Sequence, residues 1–215
     1  MVLATNPAQK IIILPGMCLD QALYAAPAYK KLDGVQFLSW PRHQGEQSIA
    51  QLAQRIIREQ GIQAGDIVGG SSLGGMVAAE IARTIPLSKI ILIGSTLDRT
   101  HVNPTLRRLH PLSSIISIKA LQVLAAAGAP LCRSRVLTMF GRAEDTFILS
   151  MCQAICSWPG NPQPSCPVAH IHGNRDRVIL PPTDGAEIIA AGHHLIALSH
   201  ARQVAAFLKK ETTPG

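Results

Sequence analysis

Long apolar runs, paired cysteines, aromatic rings and charge are all scarce in this sequence, and each shortage removes a class of protein. The longest apolar clusters, IIIL at 11–14 and ALQVLAAAGAPL at 120–131, fall short of the roughly 20 residues that a membrane-spanning helix needs. Lys10 stands directly before the first of them rather than before a signal-type core. The expectation is a cytoplasmic protein with no export segment and no membrane partner. The five cysteines form no CxxC pair, and only Cys152 and Cys156 share the i,i+4 spacing of one helix face. Reduced packing thiols are therefore expected rather than metal ligands. No HExxH, no P-loop lysine pattern and no GxGxxG after the first apolar run occurs, so no metal and no cofactor is expected. Aromatics make up 4% and the formal charge of +7 is scattered over Arg107-Arg108, Arg133, Arg135 and Lys209-Lys210. Without a basic stripe interleaved with aromatics, nucleic acid is not an expected partner. Charged residues reach only 15%, which gives no support for extended disorder beyond the ends, where KKETTPG is expected to fray.

What remains is a chain of 215 residues, 47% hydrophobic, long enough to bury one substantial core, and one domain over 1–215 is the reading. Its first half alternates short β-like runs with helix-length segments, the pattern of an α/β protein with a parallel sheet covered by helices on both faces. The predicted strands are Lys10–Leu14, Val35–Ser39, Ile67–Gly69 and Lys89–Gly94. Gln21–Leu32, Gln47–Gln60 and Leu73–Ile85 are the predicted helices between and after them. In the second helix Ile49, Leu52, Ala53, Ile56 and Ile57 recur at three- and four-residue steps and define one buried face. After Ser95 the rhythm changes: residues 96–160 read as mostly helical, broken by prolines. The alternation then resumes with PVAHIHG and AEIIA as strands and a last helix from about Ala201 to Lys209.

Three places carry chemistry. Gly70-Ser71-Ser72-Leu73-Gly74 fits G-x-S-x-G with Ser72 at its centre, between a predicted strand and a predicted helix. Small residues on both sides suit a turn too tight for side chains, and such a turn would lift the Ser72 hydroxyl beside a helix N-terminus. Either serine could instead simply cap the helix; a frame centred on Ser71 fails because position 73 is Leu. Asp176 follows the strand IHG, where open α/β sheets collect functional groups. It could equally be a surface carboxylate paired weakly with Arg175 or Arg177. A Gly-His-His turn at 192–194 falls between the last short strand and the last helix.

ILPGMCLD, GGSSLGG, HGNRDRVI and AGHHLIALSHARQVAAFL, in that order, resemble the α/β-hydrolase fold superfamily from about residue 10 to 208. The resemblance implies a minimal version of that fold, with about six mainly parallel strands. The core would be 10–95 and 161–210, and 96–160 would be a short helical lid. It further implies a serine nucleophile at Ser72, Asp176 as the orienting acid and a histidine base. Counting back from Leu198 and Val204 of the last helix favours His194, with His193 as its competitor. The oxyanion hole would be the amides of Leu73 and Met17, although many relatives have His-Gly where this chain has Pro15-Gly16. Cys18 and Leu19, beside Met17, would line an apolar acyl pocket.

The expected activity is hydrolysis of a small or medium, partly apolar ester or thioester through an acyl-enzyme. Transfer to another acceptor, cleavage of a carbon–carbon bond, or service as a small-molecule receptor with little turnover are the alternatives that the same fold accommodates. The sequence specifies neither the substrate nor the oligomeric state.

Overall fold

The structure is a computed structural model that describes residues 9–105 and 133–213. Residues 106–132, which hold the run ALQVLAAAGAPL and much of the helical stretch expected within 96–160, lie outside the described residues.

Six strands form one sheet: β1 (Ile11–Leu14), β2 (Val35–Phe37), β3 (Ile67–Ser71), β4 (Lys89–Ile93), β5 (Val168–Gly173) and β6 (Glu187–Ile189). Their order across the sheet is β2-β1-β3-β4-β5-β6, and every neighbouring pair is parallel. Because successive side chains alternate between faces, the apolar runs of the central strands supply two cores. Ile12, Leu14, Val68, Ile90 and Leu92 face one layer, built around α1 (Ile49–Gln60) and α2 (Leu73–Ile81). Ile11, Ile13, Ile91, Ile93 and Ile171 face the other, where Val204, Phe207 and Leu208 of the last helix pack. That last helix, α6 (Ala201–Thr212), follows the short helix α5 (Ile196–Ser199). Between β4 and β5 the described residues include α3 (Arg133–Phe140) and α4 (Asp145–Ser157).

The buried stripe of α1 holds Ile49, Leu52, Ala53 and Ile56, as its spacing predicts, whereas Ile57 is only half-buried and Arg55 is buried beside them. Ser48 caps it, accepting from the Gln51 amide at 3.1 Å. The segment predicted as a helix over Gln21–Leu32 is instead two 3-10 turns, Gln21–Tyr24 and Tyr29–Lys31. Pro27 lies between them, lacks an amide hydrogen and disfavours helical backbone at Ala26. The interrupted stretch packs as a ring cluster, with Tyr24 stacked on Phe37 at 4.5 Å and Tyr29 edge-on to Tyr24 at 5.3 Å. Helix α2 stops at Ile81, short of the predicted Ile85. Pro86 pushes the residue before it out of helical space, and the chain leaves through 3-10-type bonds from Arg83 and Thr84.

Order across the sheet decides where a site can form. The chain moves from β1 outward to β2, then returns across β1 to β3, so the connections that leave β1 and β3 diverge. Their diverging carboxyl ends open a crevice, the usual binding place of such sheets. Residues 15–19 leave β1 there and Ser72 leaves β3.

Candidate active site

Ser72 is the residue between β3 and α2, with φ 50° and ψ −118°. Positive φ is unfavourable for a residue with a Cβ, and such strain is concentrated at functional sites. The turn is closed by glycines that nothing larger could replace. A Cβ on Gly70 would stand 2.6 Å from the Leu14 carbonyl oxygen, and one on Gly74 2.6 Å from that of Pro15. Neither serine caps the helix: Ser72 makes no side-chain cap bond, and the Ser71 hydroxyl instead meets the Tyr24 hydroxyl at 2.8 Å.

Asp176 stands just beyond β5 and His194 beyond β6. Their loops are drawn together by Gly173 and Gly192, which pack backbone against backbone, since a Cβ on Gly173 would overlap the Gly192 carbonyl. The Arg175 amide donates to that same carbonyl at 2.8 Å. His194 Nδ1 lies 2.8 Å from Asp176 Oδ2, and His194 Nε2 lies 3.0 Å from the Ser72 hydroxyl. A carboxylate only accepts, so Nδ1 carries the ring hydrogen and Nε2 presents its lone pair to the serine. Asp176 is 3% exposed, and its other oxygen accepts from the amides of Val178 and Ile179 at 2.8 and 3.1 Å. Burial alone would raise its pKa. The His194 charge and hydrogen bonds from His172, His194 and the Val178 amide together outweigh that and hold the carboxyl well below the ordinary carboxylate range. Arg175 and Arg177 form no ion pair with it. His193 is half-buried and, among the described residues, has no hydrogen bond or ion pair.

The turn after β1 abuts the serine: a Cβ on Gly16 would stand 3.7 Å from the Ser72 Cβ. Among the described residues the Met17 and Leu73 amides have no hydrogen-bond acceptor. Cys18 and Leu19 are buried in the core layer of α6, and burial, with a smaller effect from Cys152, pushes the Cys18 thiol far above its usual range. It packs as an uncharged group.

No family model and no curated protein matches the sequence. Solved structures do match in shape. One is a thermophilic esterase from Thermogutta terrifontis at 16% identity and TM-score 0.76, covering 96% of this chain and 90% of the esterase. A second is an enol-lactonase from Burkholderia xenovorans LB400 at 14% identity and TM-score 0.74, covering 96% and 92%. A third is an N-acyl homoserine lactonase at 18% identity and TM-score 0.71, covering 97% and 90%. The chain has the α/β-hydrolase fold.

Within this α/β-hydrolase fold two side chains stand out that sequence reasoning passed over. His172 is fully buried, with Nε2 3.1 Å from the Ile179 carbonyl and 3.2 Å from Asp176 Oδ2. Both partners are acceptors, so Nε2 carries the hydrogen, leaving Nδ1 to accept from His170 Nε2 at 3.0 Å. His170 suits that role, because burial above all brings its pKa down to about 3 and keeps it neutral. The HG ending of β5 was the only signal in the sequence, and it reads as a turn. Trp40 is the other, and its indole Nε1 donates to the Gly16 carbonyl at 2.8 Å; nothing in SWPRH marks it.

Proposed function

We propose that the protein is a serine hydrolase that cleaves carboxylic esters or thioesters with a small or medium, partly apolar acyl group. The observation that carries the reading is the continuous hydrogen-bonded path from the Ser72 hydroxyl through His194 to buried Asp176. In this reading Ser72 Oγ attacks the carbonyl carbon while its proton passes to His194 Nε2. Asp176 holds the ring in the required tautomer and offsets the imidazolium charge. The carbonyl oxygen becomes an oxyanion, and the unpaired Met17 and Leu73 amides receive it. His194 then gives its proton to the departing alcohol or thiol, leaving an acyl-Ser72 ester. Water, deprotonated by His194, attacks that ester; the acid leaves and Ser72 regains its proton. The esterase and lactonase names of the similar structures support the choice of bond, a lactone being a cyclic ester. Cys18 and Leu19 would border the acyl group, and 96–160 would be the lid that sets its size.

The test is covalent. A fluorophosphonate should label the wild-type protein at Ser72, and Ser72→Ala should take no label; labelling of that variant at wild-type rate would refute the assignment.

A further inference from the structure

In the turn after β1, Pro15 has no N–H to donate and Gly16 no side chain to brace it. The Gly16 carbonyl nonetheless receives two hydrogen bonds. Leu19 N–H donates across the turn at 3.1 Å, and Trp40 Nε1–H donates from beyond β2 at 2.8 Å. That carbonyl and the Met17 N–H belong to one peptide unit. A trans peptide is planar with its C=O and N–H pointing oppositely, so whatever fixes the Gly16 oxygen fixes the direction of the Met17 hydrogen. A flip of this peptide would reverse the Met17 N–H and break both bonds at once.

We propose that Trp40 is a positioning residue for the oxyanion site, holding the Met17 amide in place through the Gly16 carbonyl. This rests on the reading of Met17 as an oxyanion donor given above. The indole is braced in turn by α4, where Phe147 lies 5.6 Å from it at a 41° tilt. The same helix reaches the other end of the peptide unit, with Cys152 Sγ 3.9 Å from Met17 Sδ. Helix α4 thus touches both the Trp40 ring and the Met17 side chain. A displacement of α4 would alter the oxyanion site without touching Ser72, His194 or Asp176.

Trp40→Phe keeps an aromatic ring against Phe147 and removes the donor. With p-nitrophenyl butyrate as substrate, kcat should fall on the order of tenfold with KM within about twofold. Direct loss of an oxyanion donor costs about 10²–10³, and the Leu19 bond still favours the same peptide orientation. The rate of fluorophosphonate labelling should fall in proportion, because the phosphonyl oxygen enters the same site. A folded Trp40→Phe protein with kcat within twofold of wild type would reduce Trp40 to packing and overturn the inference. Absence of Ser72 labelling in the wild type would instead overturn the reading beneath it, and that result is seen before any variant is made.

A second measurement needs no variant. The chain has two tryptophans, and the Trp158 indole donates to Glu80 at 2.7 Å rather than to the turn. In ¹⁵N-tryptophan-labelled wild-type protein, phosphonylation of Ser72 should shift the Trp40 indole signal and leave that of Trp158 in place. A Trp40 signal that does not move overturns the inference.

Discussion

His172 directs its Nε2 at Asp176 Oδ2 from 3.2 Å, so the oxygen that faces His194 has a second imidazole donor. The carboxylate is pinned between two rings and two amides, and its direction toward His194 is not left to a flexible loop. Replacing His172 by Phe keeps the buried ring volume and deletes the donor. We expect kcat to fall by roughly three- to thirtyfold, since slight misplacement of a catalytic group costs up to about a hundredfold. The downfield N–H signal of His194 Nδ1 should also move, because Oδ2 loses a competing donor. Unchanged kcat and an unmoved signal in the folded variant would leave His172 with a packing role alone.

Ser72 sits at φ 50°, which predicts an inverted order of stability between two variants at this position. Glycine inside a helix usually costs up to about 1 kcal/mol relative to alanine. Here Ser72→Gly should exceed Ser72→Ala by about 1–2 kcal/mol in urea denaturation, because only glycine relieves the strained backbone. The usual order, alanine above glycine, would mean the turn is relaxed.

The adjacent histidines should separate sharply. His194→Ala should lower kcat by on the order of 10⁴–10⁶, the scale of losing a triad base. His193→Ala should stay within a few-fold of wild type. Ester hydrolysis by purified variants decides it, and equal losses would point to a loop effect rather than to one base.

A buried ion pair links pH to stability away from the candidate site. Glu46 Oε1 meets Arg55 Nη1 at 2.6 Å, and its other oxygen accepts from the Gln44 amide at 3.0 Å. Burial alone would raise Glu46, but the hydrogen bond and charge of Arg55 and nearby amides bring it down from 4.5 to about 2. A lowered folded-state pKa means stability that is complete above the unfolded value and lost as pH falls through the folded one. Glu46→Gln should therefore be less stable than wild type at pH 7, and the gap should close as pH drops from about 5 toward 2. Melting temperatures across that range test it; a gap independent of pH would show that the charge of Glu46 is not what stabilises.

Much of the plan was legible because it depends on local pattern. The strand positions came from apolar runs that a sheet buried on both faces requires. The Ser72 frame came from glycines whose absent side chains leave room for the turn. The predicted Gln21–Leu32 helix failed where apolar spacing competed with Pro27 and with rings better buried against Phe37. The capping alternative for Ser71 also depended on something the sequence could not show, the Tyr24 hydroxyl 47 positions away.

The sequence by itself determined an α/β chain of parallel strands, a glycine-walled turn around Ser72, and the candidate site residues Ser72, Asp176 and His194. Helix and strand periodicity and the steric demands of a tight turn are properties of neighbouring residues, and neighbours are what a sequence records. The family resemblance already favoured His194 over His193, but only the tertiary structure joined it by hydrogen bonds to Ser72 and Asp176, set His172 against Asp176, and brought Trp40 to the Gly16 carbonyl. Those relations join residues 4 to 122 positions apart. They exist only once strand order and loop packing have fixed which chain ends meet.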